Sequence, residues 1–444
     1  MKELKISLMG MGYVGLITGM AFAKHDFKVV VTDAISSKVE KLASGIPPFY
    51  EKNFEENLKD VIERGLLTGS TDNAAAVHDT DVTFICVGTP SRPDGSIDLS
   101  YIEAVAKDIG TALKDKKKYH VVVTKSTIVP MTTEKVILPI LEEHSGKKVG
   151  EDFGLCMNPE FLREGAAVHD ALKPDRIVIG QWDKKSGDAL IKIYDDFNCP
   201  KLRVSIRTAE MIKYTANSFL ATKITFANEM ANLCERYNID VYDVMKGVGL
   251  DFRISEQFLR AGAGFGGSCF PKDVHALVSS AKSVGVQTQL LDAVLAVNET
   301  QPLRLVELAK QAAGGVLKGK EVALLGLAFK PDTDDIRETR AVPILNALVE
   351  QGAKVRGYDP EAMENFKAAV DKPMVYAKSA KEALEGADIC IIQTEWNEIK
   401  ELTAEDFKSL MKTPVVVDGR RTFDDPQGII DAGVKYLGIG WKNE

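Results

Sequence analysis

Leu4-Lys5-Ile6-Ser7-Leu8-Met9-Gly10-Met11-Gly12-Tyr13-Val14-Gly15 opens the chain as a short apolar run ending in three spaced glycines. Leu4 to Met9 predicts a strand, Gly10 to Gly15 a turn, and Leu16 to Lys24 a helix. A second strand, Val29-Val30-Val31-Thr32-Asp33, ends in an acid about twenty residues beyond the turn. Glycines spaced this way let a pyrophosphate approach a helix N-terminus. Asp33 would accept hydrogen bonds from ribose hydroxyls and repel a 2′-phosphate, so the expected cofactor is NAD.

Apolar strand-like runs follow at Val82 to Val87, Val121 to Thr124, Leu155 to Met157 and Ile177 to Ile179, alternating with helical or loop-like sequence. That alternation implies a mainly parallel sheet. From about Thr208 the pattern becomes one long amphipathic helix to Arg236, with Met211, Ala216, Phe219, Leu220, Ile224, Ala227 and Met230 among its apolar positions. It reads as a domain connector and dimer surface, or equally as the core helix of one monomer. Helical sequence continues to about Ala309. After Gly314-Gly315 the strand pattern returns at Val322 to Leu325, Lys354 to Tyr358, Ile389 to Gln393 and Val415 to Val417. The expected fold is α/β, with two Rossmann-like doubly wound domains, 1–204 and 310–444, joined by a central helical region, 205–309.

The length of 444 residues accommodates two or three domains, and 45% hydrophobic with 27% charged residues is ordinary for a globular protein. The net charge of -8 disfavours nonspecific nucleic-acid binding, so phosphates must be met by local cations. No apolar run has the length of a membrane span and no signal peptide is apparent, which predicts a cytoplasmic protein. Cys86, Cys156, Cys199, Cys234, Cys269 and Cys390 lack CxxC spacing, and the six histidines are dispersed, so neither a disulfide framework nor a zinc site is expected. Cys86 and Cys390 fall in strand-like runs and read as core.

Chemistry concentrates in Gly264-Phe265-Gly266-Gly267-Ser268-Cys269-Phe270-Pro271-Lys272-Asp273. The glycines admit positive φ, Pro271 suits a first helical turn, and a helix N-terminus with Lys272 would favour a thiolate. A nicotinamide enzyme that only interconverts alcohol and carbonyl has no use for a thiol, whereas one that continues to the acid does. Asn158-Pro159-Glu160-Phe161-Leu162-Arg163-Glu164-Gly165 places two acids at i,i+4, which would share a helix face. Lys213 and Asn217 repeat that spacing on the long helix and could polarise a hydroxyl or hold an oxyanion. Thr89-Pro90 and Ser126-Thr127 end strands of the first domain, on the edge where open α/β sheets bind ligands. Gly326-Leu327-Ala328-Phe329-Lys330-Pro331-Asp332-Thr333 ends the first strand of the third segment, where Lys330, Arg337 and Arg421 supply positive charge.

Taken together, GMGYVG at Gly10, NPEFLREG at Asn158, AEMIKYTANSFLA at Ala209, GFGGSCFPKD at Gly264 and GLAFKPDTDDIR at Gly326 resemble the nucleotide-sugar 6-dehydrogenases over essentially the whole chain. The resemblance implies four-electron, NAD-dependent oxidation of UDP-glucose to UDP-glucuronate by a homodimer. It assigns Cys269 as nucleophile and Lys213 to the C6 oxygen. Asn217 would serve the oxyanion, Asp273 and Thr127 the water, and Glu160 the acid-base steps. NAD would lie against Gly10, Met11, Gly12, Tyr13, Val14, Gly15, Asp33, Lys38, Thr89, Pro90 and Thr127, with Glu164 and Arg337 completing its site. The nucleotide sugar would meet Glu160, Phe161, Leu162, Arg163, Lys213 and Asn217, then Arg260, Gly264, Phe265, Gly266, Lys330 and Arg421, with Arg253 crossing the dimer interface. GDP-mannose remains an alternative sugar, and Ser268 disfavours UDP-N-acetylmannosamine. Two further readings differ in class: a two-electron hydroxyacid dehydrogenase in which Cys269 is structural, and a noncatalytic nucleotide-sugar binding protein.

Overall fold

The computed structural model describes residues 2–442, which fall into two compact units, Met1–Ala216 and Asn217–Glu444. The first holds an eight-stranded sheet of β1 (Lys5–Met9), β2 (Lys28–Thr32), β3 (Leu67–Ser70), β4 (Val82–Ile85), β5 (His120–Thr124), β6 (Phe153–Met157), β7 (Ile177–Gln181) and β8 (Lys201–Ser205). Its order is β3-β2-β1-β4-β5-β6-β7-β8. Every pairing is parallel except β6 with β7. The order reverses between β1 and β4, the crevice where open α/β sheets bind ligands.

The second unit repeats the plan with β9 (Glu321–Leu325), β10 (Lys354–Tyr358), β11 (Val375–Tyr376), β12 (Ile389–Ile392), β13 (Val415–Asp418) and β14 (Lys435–Gly438). Its order is β11-β10-β9-β12-β13-β14, parallel throughout. Period-two alternation divides its strands between two cores. Val322, Leu324, Ile389, Ile391, Val415 and Val417 enter one, while Ala323, Leu325, Cys390, Ile392 and Val416 enter the other. Both faces are therefore covered, as a parallel sheet requires.

The long helix spans Ile206–Tyr237, and the helix following the cysteine spans Phe270–Ser283. Among the described residues no helix is long and apolar enough to cross a membrane.

One local expectation fails. Residues 158–166 are not helical, so Glu160 and Glu164 do not share a helix face. The amides that a helix would pair internally are taken by carboxylates: Leu162 N–H donates to Glu160 (2.6 Å), Arg163 N–H to Asp170 (3.0 Å), and Gly165 and Ala167 N–H to Glu51 (2.7 and 2.9 Å).

Candidate active site

In the first unit the helix Tyr13–Lys24 begins immediately beyond β1, with Gly12 as N-cap and no side chain capping it. A Cβ on Gly15 would stand 1.9 Å from the Gly10 carbonyl oxygen, so the tight turn requires glycine there. A Cβ on Gly12 would meet nothing within 4 Å, which leaves that side of the turn open. An uncapped helix N-terminus beside an open glycine fits a dinucleotide pyrophosphate. Asp33, just past β2, accepts from Met11 N–H (3.0 Å), Ile35 N–H (3.0 Å) and the Lys38 ammonium (3.1 Å). Its carboxylate thus fixes both strand-end turns. The Thr89 hydroxyl donates to the Thr127 carbonyl (2.9 Å), tying the ends of β4 and β5 together.

At the end of β6 the loop carries Glu160 into a buried ion pair with Lys213 (2.8 Å), the two side chains being 7% and 3% exposed. Burial pushes the Glu160 carboxyl up. The Lys213 charge and hydrogen bond, the Leu162 amide and the Lys125 charge outweigh that and hold it below the usual carboxylate range. Lys125, at the end of β5, is also buried and donates to Asn158 Oδ1 (2.9 Å), which accepts from Tyr194 as well. Burial pushes the Lys125 ammonium down to about 8. The sequence reading quoted Asn158 without giving it a role and missed Lys125, Tyr194 and also Arg176, whose guanidinium lies 3.7 Å from the centre of the Phe161 ring.

In the second unit Cys269 is the N-cap residue of the helix Phe270–Ser283 and is half-buried, with its sulfur 3.4 Å from the Ser268 hydroxyl. Gly267 has φ +84°, and a Cβ there would strike the Phe329 ring at 2.6 Å, so no other residue suits that position. Asp273 is 1% exposed; one oxygen accepts from Asn217 Nδ2 (2.6 Å) and the other from the Lys272 ammonium (2.6 Å). Lys272, expected to favour the thiolate, is thus bound by a carboxylate, and its charge acts as half of a pair.

Buried amides hold the glycine-rich loop from beneath. Asn298 exchanges two hydrogen bonds with the Phe265 backbone (2.8 and 3.0 Å), Asn228 accepts from Gly262 N–H (2.7 Å), and Gln301 donates to the Gly262 carbonyl (3.0 Å). Asn228 and Asn298 lie within helices and Gln301 follows the end of one, and no neighbouring residue in the sequence signals their partners.

The nominated residues divide between the units. The first carries the dinucleotide turn, Asp33, Lys38, Thr89, Pro90, Thr127, the loop from Glu160 to Glu164, and Lys213. The second carries Asn217, Cys269, Asp273, Arg253, the loop from Arg260 to Gly266, Lys330, Arg337 and Arg421. Lys213 and Asn217 sit one turn apart on the long helix. Several nominated arginines are engaged by acids: Arg163 by Asp170 (2.6 Å), Arg253 by Asp251 (2.5 Å) and Arg337 by Asp335 (2.7 Å). Arg421 makes two bonds to Asp240 (2.8 and 2.7 Å), with the Tyr242 and Trp441 rings 4.5 and 4.6 Å from its guanidinium carbon. Its neighbour Arg420, which the sequence reading passed over, lies against Gly262: a Cβ on that glycine would be 3.2 Å from the Arg420 guanidinium.

Comparison with known proteins covers the chain in three parts of one family, the UDP-glucose/GDP-mannose dehydrogenases. The family's NAD binding domain matches residues 4–198, its central domain 207–300 and its UDP binding domain 323–425. The UDP-glucose 6-dehydrogenase TuaD of Bacillus subtilis is 42% identical over 440 residues, 98% of this chain and 93% of its own. The UDP-glucose 6-dehydrogenase AglM of Haloferax volcanii is 42% identical over 433 residues, 96% of this chain and 99% of its own. A solved UDP-glucose dehydrogenase from Pyrobaculum islandicum superposes with a TM-score of 0.92 at 41% identity, covering 99% of this chain and 98% of the other. With three domain models in order and relatives alike over nearly the full length, this chain belongs to the UDP-glucose/GDP-mannose dehydrogenase family.

Proposed function

We propose that this chain oxidises UDP-glucose to UDP-glucuronate with NAD, removing four electrons at C6. The observation that carries the reading is Cys269 at a helix N-cap in the unit that also holds the buried Asn217–Asp273 pair. A thiol serves the second oxidation and not the first. The 42% identity to two UDP-glucose 6-dehydrogenases supports that substrate over GDP-mannose.

In this reading residues 1–204 bind NAD through Gly10 to Gly15, Asp33, Lys38, Thr89, Pro90 and Thr127, completed by Glu164 and Arg337. Residues 205–309 form the central helical part, and residues 310–444 bind the UDP portion with Lys330 and the loop from Arg260 to Gly266. NAD, when bound, accepts hydride from C6 in each of the two oxidations. The Lys213–Glu160 pair takes the C6 hydroxyl proton and steadies the oxygen as the aldehyde forms. Cys269 Sγ then bonds to the aldehyde carbon, and the carbonyl electron pair moves onto oxygen, where the Asn217 amide and Lys213 stabilise it. Loss of the second hydride restores the carbonyl as a thioester. Water, positioned by Asp273 and Thr127, adds to it; the C–S bond breaks, the sulfur leaves as thiolate, and the acid departs carrying one water oxygen.

The exposed apolar residues Phe219, Phe226 and Leu233, seven apart on the long helix, support a homodimer through that face. Sedimentation as a monomer at micromolar concentration would refute it. A cytoplasmic location accords with scattered cysteines that form no framework pattern, and fractionation of the source cell tests it.

Counting NADH per sugar tests the chemistry. Two NADH per UDP-glucose with no free aldehyde are expected, and Cys269→Ser should bind both ligands yet nearly stop the complete oxidation. One NADH per sugar, or near-normal four-electron turnover in the folded serine protein, would overturn the covalent mechanism.

A further inference from the structure

Glu51 lies in the segment between β2 and β3, 114 residues before Gly165, and the residue is only 7% exposed. It accepts the Tyr13 hydroxyl, the Gly165 amide (2.7 Å) and the Ala167 amide (2.9 Å). Tyr13 occupies the first turn of the helix that follows the glycine turn, and Gly165 closes the loop that carries Glu160 to Glu164. One buried carboxylate thus bonds directly to both the dinucleotide turn and the sugar-nucleotide loop, all within the first unit.

The Tyr13 phenol is held as a donor. Burial pushes it up, and the Glu51 carboxylate that it serves pushes it further. Its ring rests on Phe49 (centroids 5.1 Å apart), which stacks on the fully buried Phe54 (5.2 Å, planes 4° apart). The segment carrying Glu51 is therefore clamped over the start of the helix. The loop keeps one internal turn bond, from Ala166 N–H to the Arg163 carbonyl (2.9 Å), and relies on Asp170 and Glu51 outside it to hold its other amides.

We propose that Glu51 is a positioning residue that couples cofactor binding to nucleotide-sugar binding. This inference rests on the assignment of the loop to the nucleotide sugar. A dinucleotide at the glycine turn fixes the first helical turn and Tyr13; Tyr13 fixes Glu51; and Glu51 fixes the end of the loop. Ordering paid for by the first ligand is not required of the second, so each tightens the other by the same factor.

Calorimetric titration of UDP-glucose, with and without saturating NADH, measures that factor. NADH cannot oxidise the alcohol, so the ternary complex stays unreactive. In the unmodified chain NADH is expected to tighten UDP-glucose binding about fivefold or more. Tyr13→Phe keeps the ring on Phe49 and both loop bonds to Glu51 but cuts the link. With NADH titrated anew to saturation, because Tyr13 is also assigned to the NAD site, its factor should fall to about one. Glu51→Gln turns one acceptor toward a backbone amide into a donor. It should weaken UDP-glucose binding about tenfold, while its one carbonyl oxygen keeps the Tyr13 and Gly165 bonds that Glu51 Oε2 accepts and so part of the factor, with thermal unfolding checked alongside. If Glu51→Gln does not fold, Tyr13→Phe alone decides. A factor of one in the unmodified chain, or an undiminished factor in Tyr13→Phe, overturns the coupling. Binding of NADH without any binding of UDP-glucose would overturn the substrate reading first, and this proposal with it.

Discussion

Replacing Lys213 by Met leaves the buried Glu160 carboxylate without its nearest countercharge. At 2.8 Å the pair attracts by about 6 kcal/mol at an effective dielectric constant of about 20, most of it offset by the burial of both charges. Removing one partner of a buried pair costs about 3–5 kcal/mol, since the desolvated survivor remains. Glu160 keeps the Leu162 amide and the Lys125 charge, so the low end, about 3 kcal/mol, is expected at pH 7.5. In hydrogen exchange of peptides covering β6 and the start of the long helix, that is roughly 160-fold faster opening.

The pH dependence carries a sign. In the unmodified chain Glu160 titrates below the ordinary carboxylate range, so its stabilisation is present above about pH 4.3 and is lost as pH falls through its folded value. Without Lys213, burial dominates and the folded carboxyl titrates above the unfolded one. Stability is then lost as pH rises from about 4.3 toward that folded value, by at most about 1.4 kcal/mol per pH unit. The damage should thus shrink on going from pH 7.5 to 5.5. Protection unchanged within about threefold at pH 7.5, or damage that grows on acidification, would refute the reasoning.

Lys125→Met should stabilise the first unit. The fall from 10.5 to about 8 costs the charged side chain about 3 kcal/mol at neutral pH, and the lost bond to Asn158 returns about 1 kcal/mol, leaving a net gain of about 2 kcal/mol. Because the folded lysine titrates below the unfolded one, the original chain gains stability as pH rises from about 8 toward 10.5, and urea unfolding should show the gap closing near pH 10. A variant less stable at pH 7 would contradict this. Asp33→Ser removes the carboxylate that repels a 2′-phosphate and releases the Lys38 ammonium from its 3.1 Å bond. The ratio of kcat/KM for NADP over NAD should rise at least about tenfold, and an unchanged ratio would show that Asp33 does not set cofactor choice.

The strands legible in the sequence and those missed differ in position within the sheets. β1, β2, β4, β5, β6 and β7, then β9, β10, β12 and β13, read as apolar runs because they are interior strands with neighbours on both sides. β3, β8, β11 and β14 escaped notice, and they are the four edges of the two sheets. An edge strand buries less and tolerates polar residues, as Leu67-Thr68-Gly69-Ser70 and Lys201-Leu202-Arg203-Val204-Ser205 show. The reversal of β7 was equally invisible, since period and composition do not encode direction.

At the candidate site the same distinction separates local from long-range information. The glycine turn, the N-cap cysteine and the Lys213–Asn217 spacing are local patterns whose physics acts within a few residues, and the elements carrying them form as expected. The Glu160–Glu164 spacing was local too, but its outcome was decided elsewhere. Glu51 lies 114 residues from Gly165 and captures its amide. Nothing in Phe49-Tyr50-Glu51-Lys52-Asn53 marks this acid as different from the solvated ones beside it. Arg421 shows the converse: a cation at a strand end is a natural phosphate ligand, yet Asp240, 181 residues away, holds both arms of its guanidinium. A charged side chain announces that it needs a partner, and only the fold decides whether that partner is a ligand or another part of the chain.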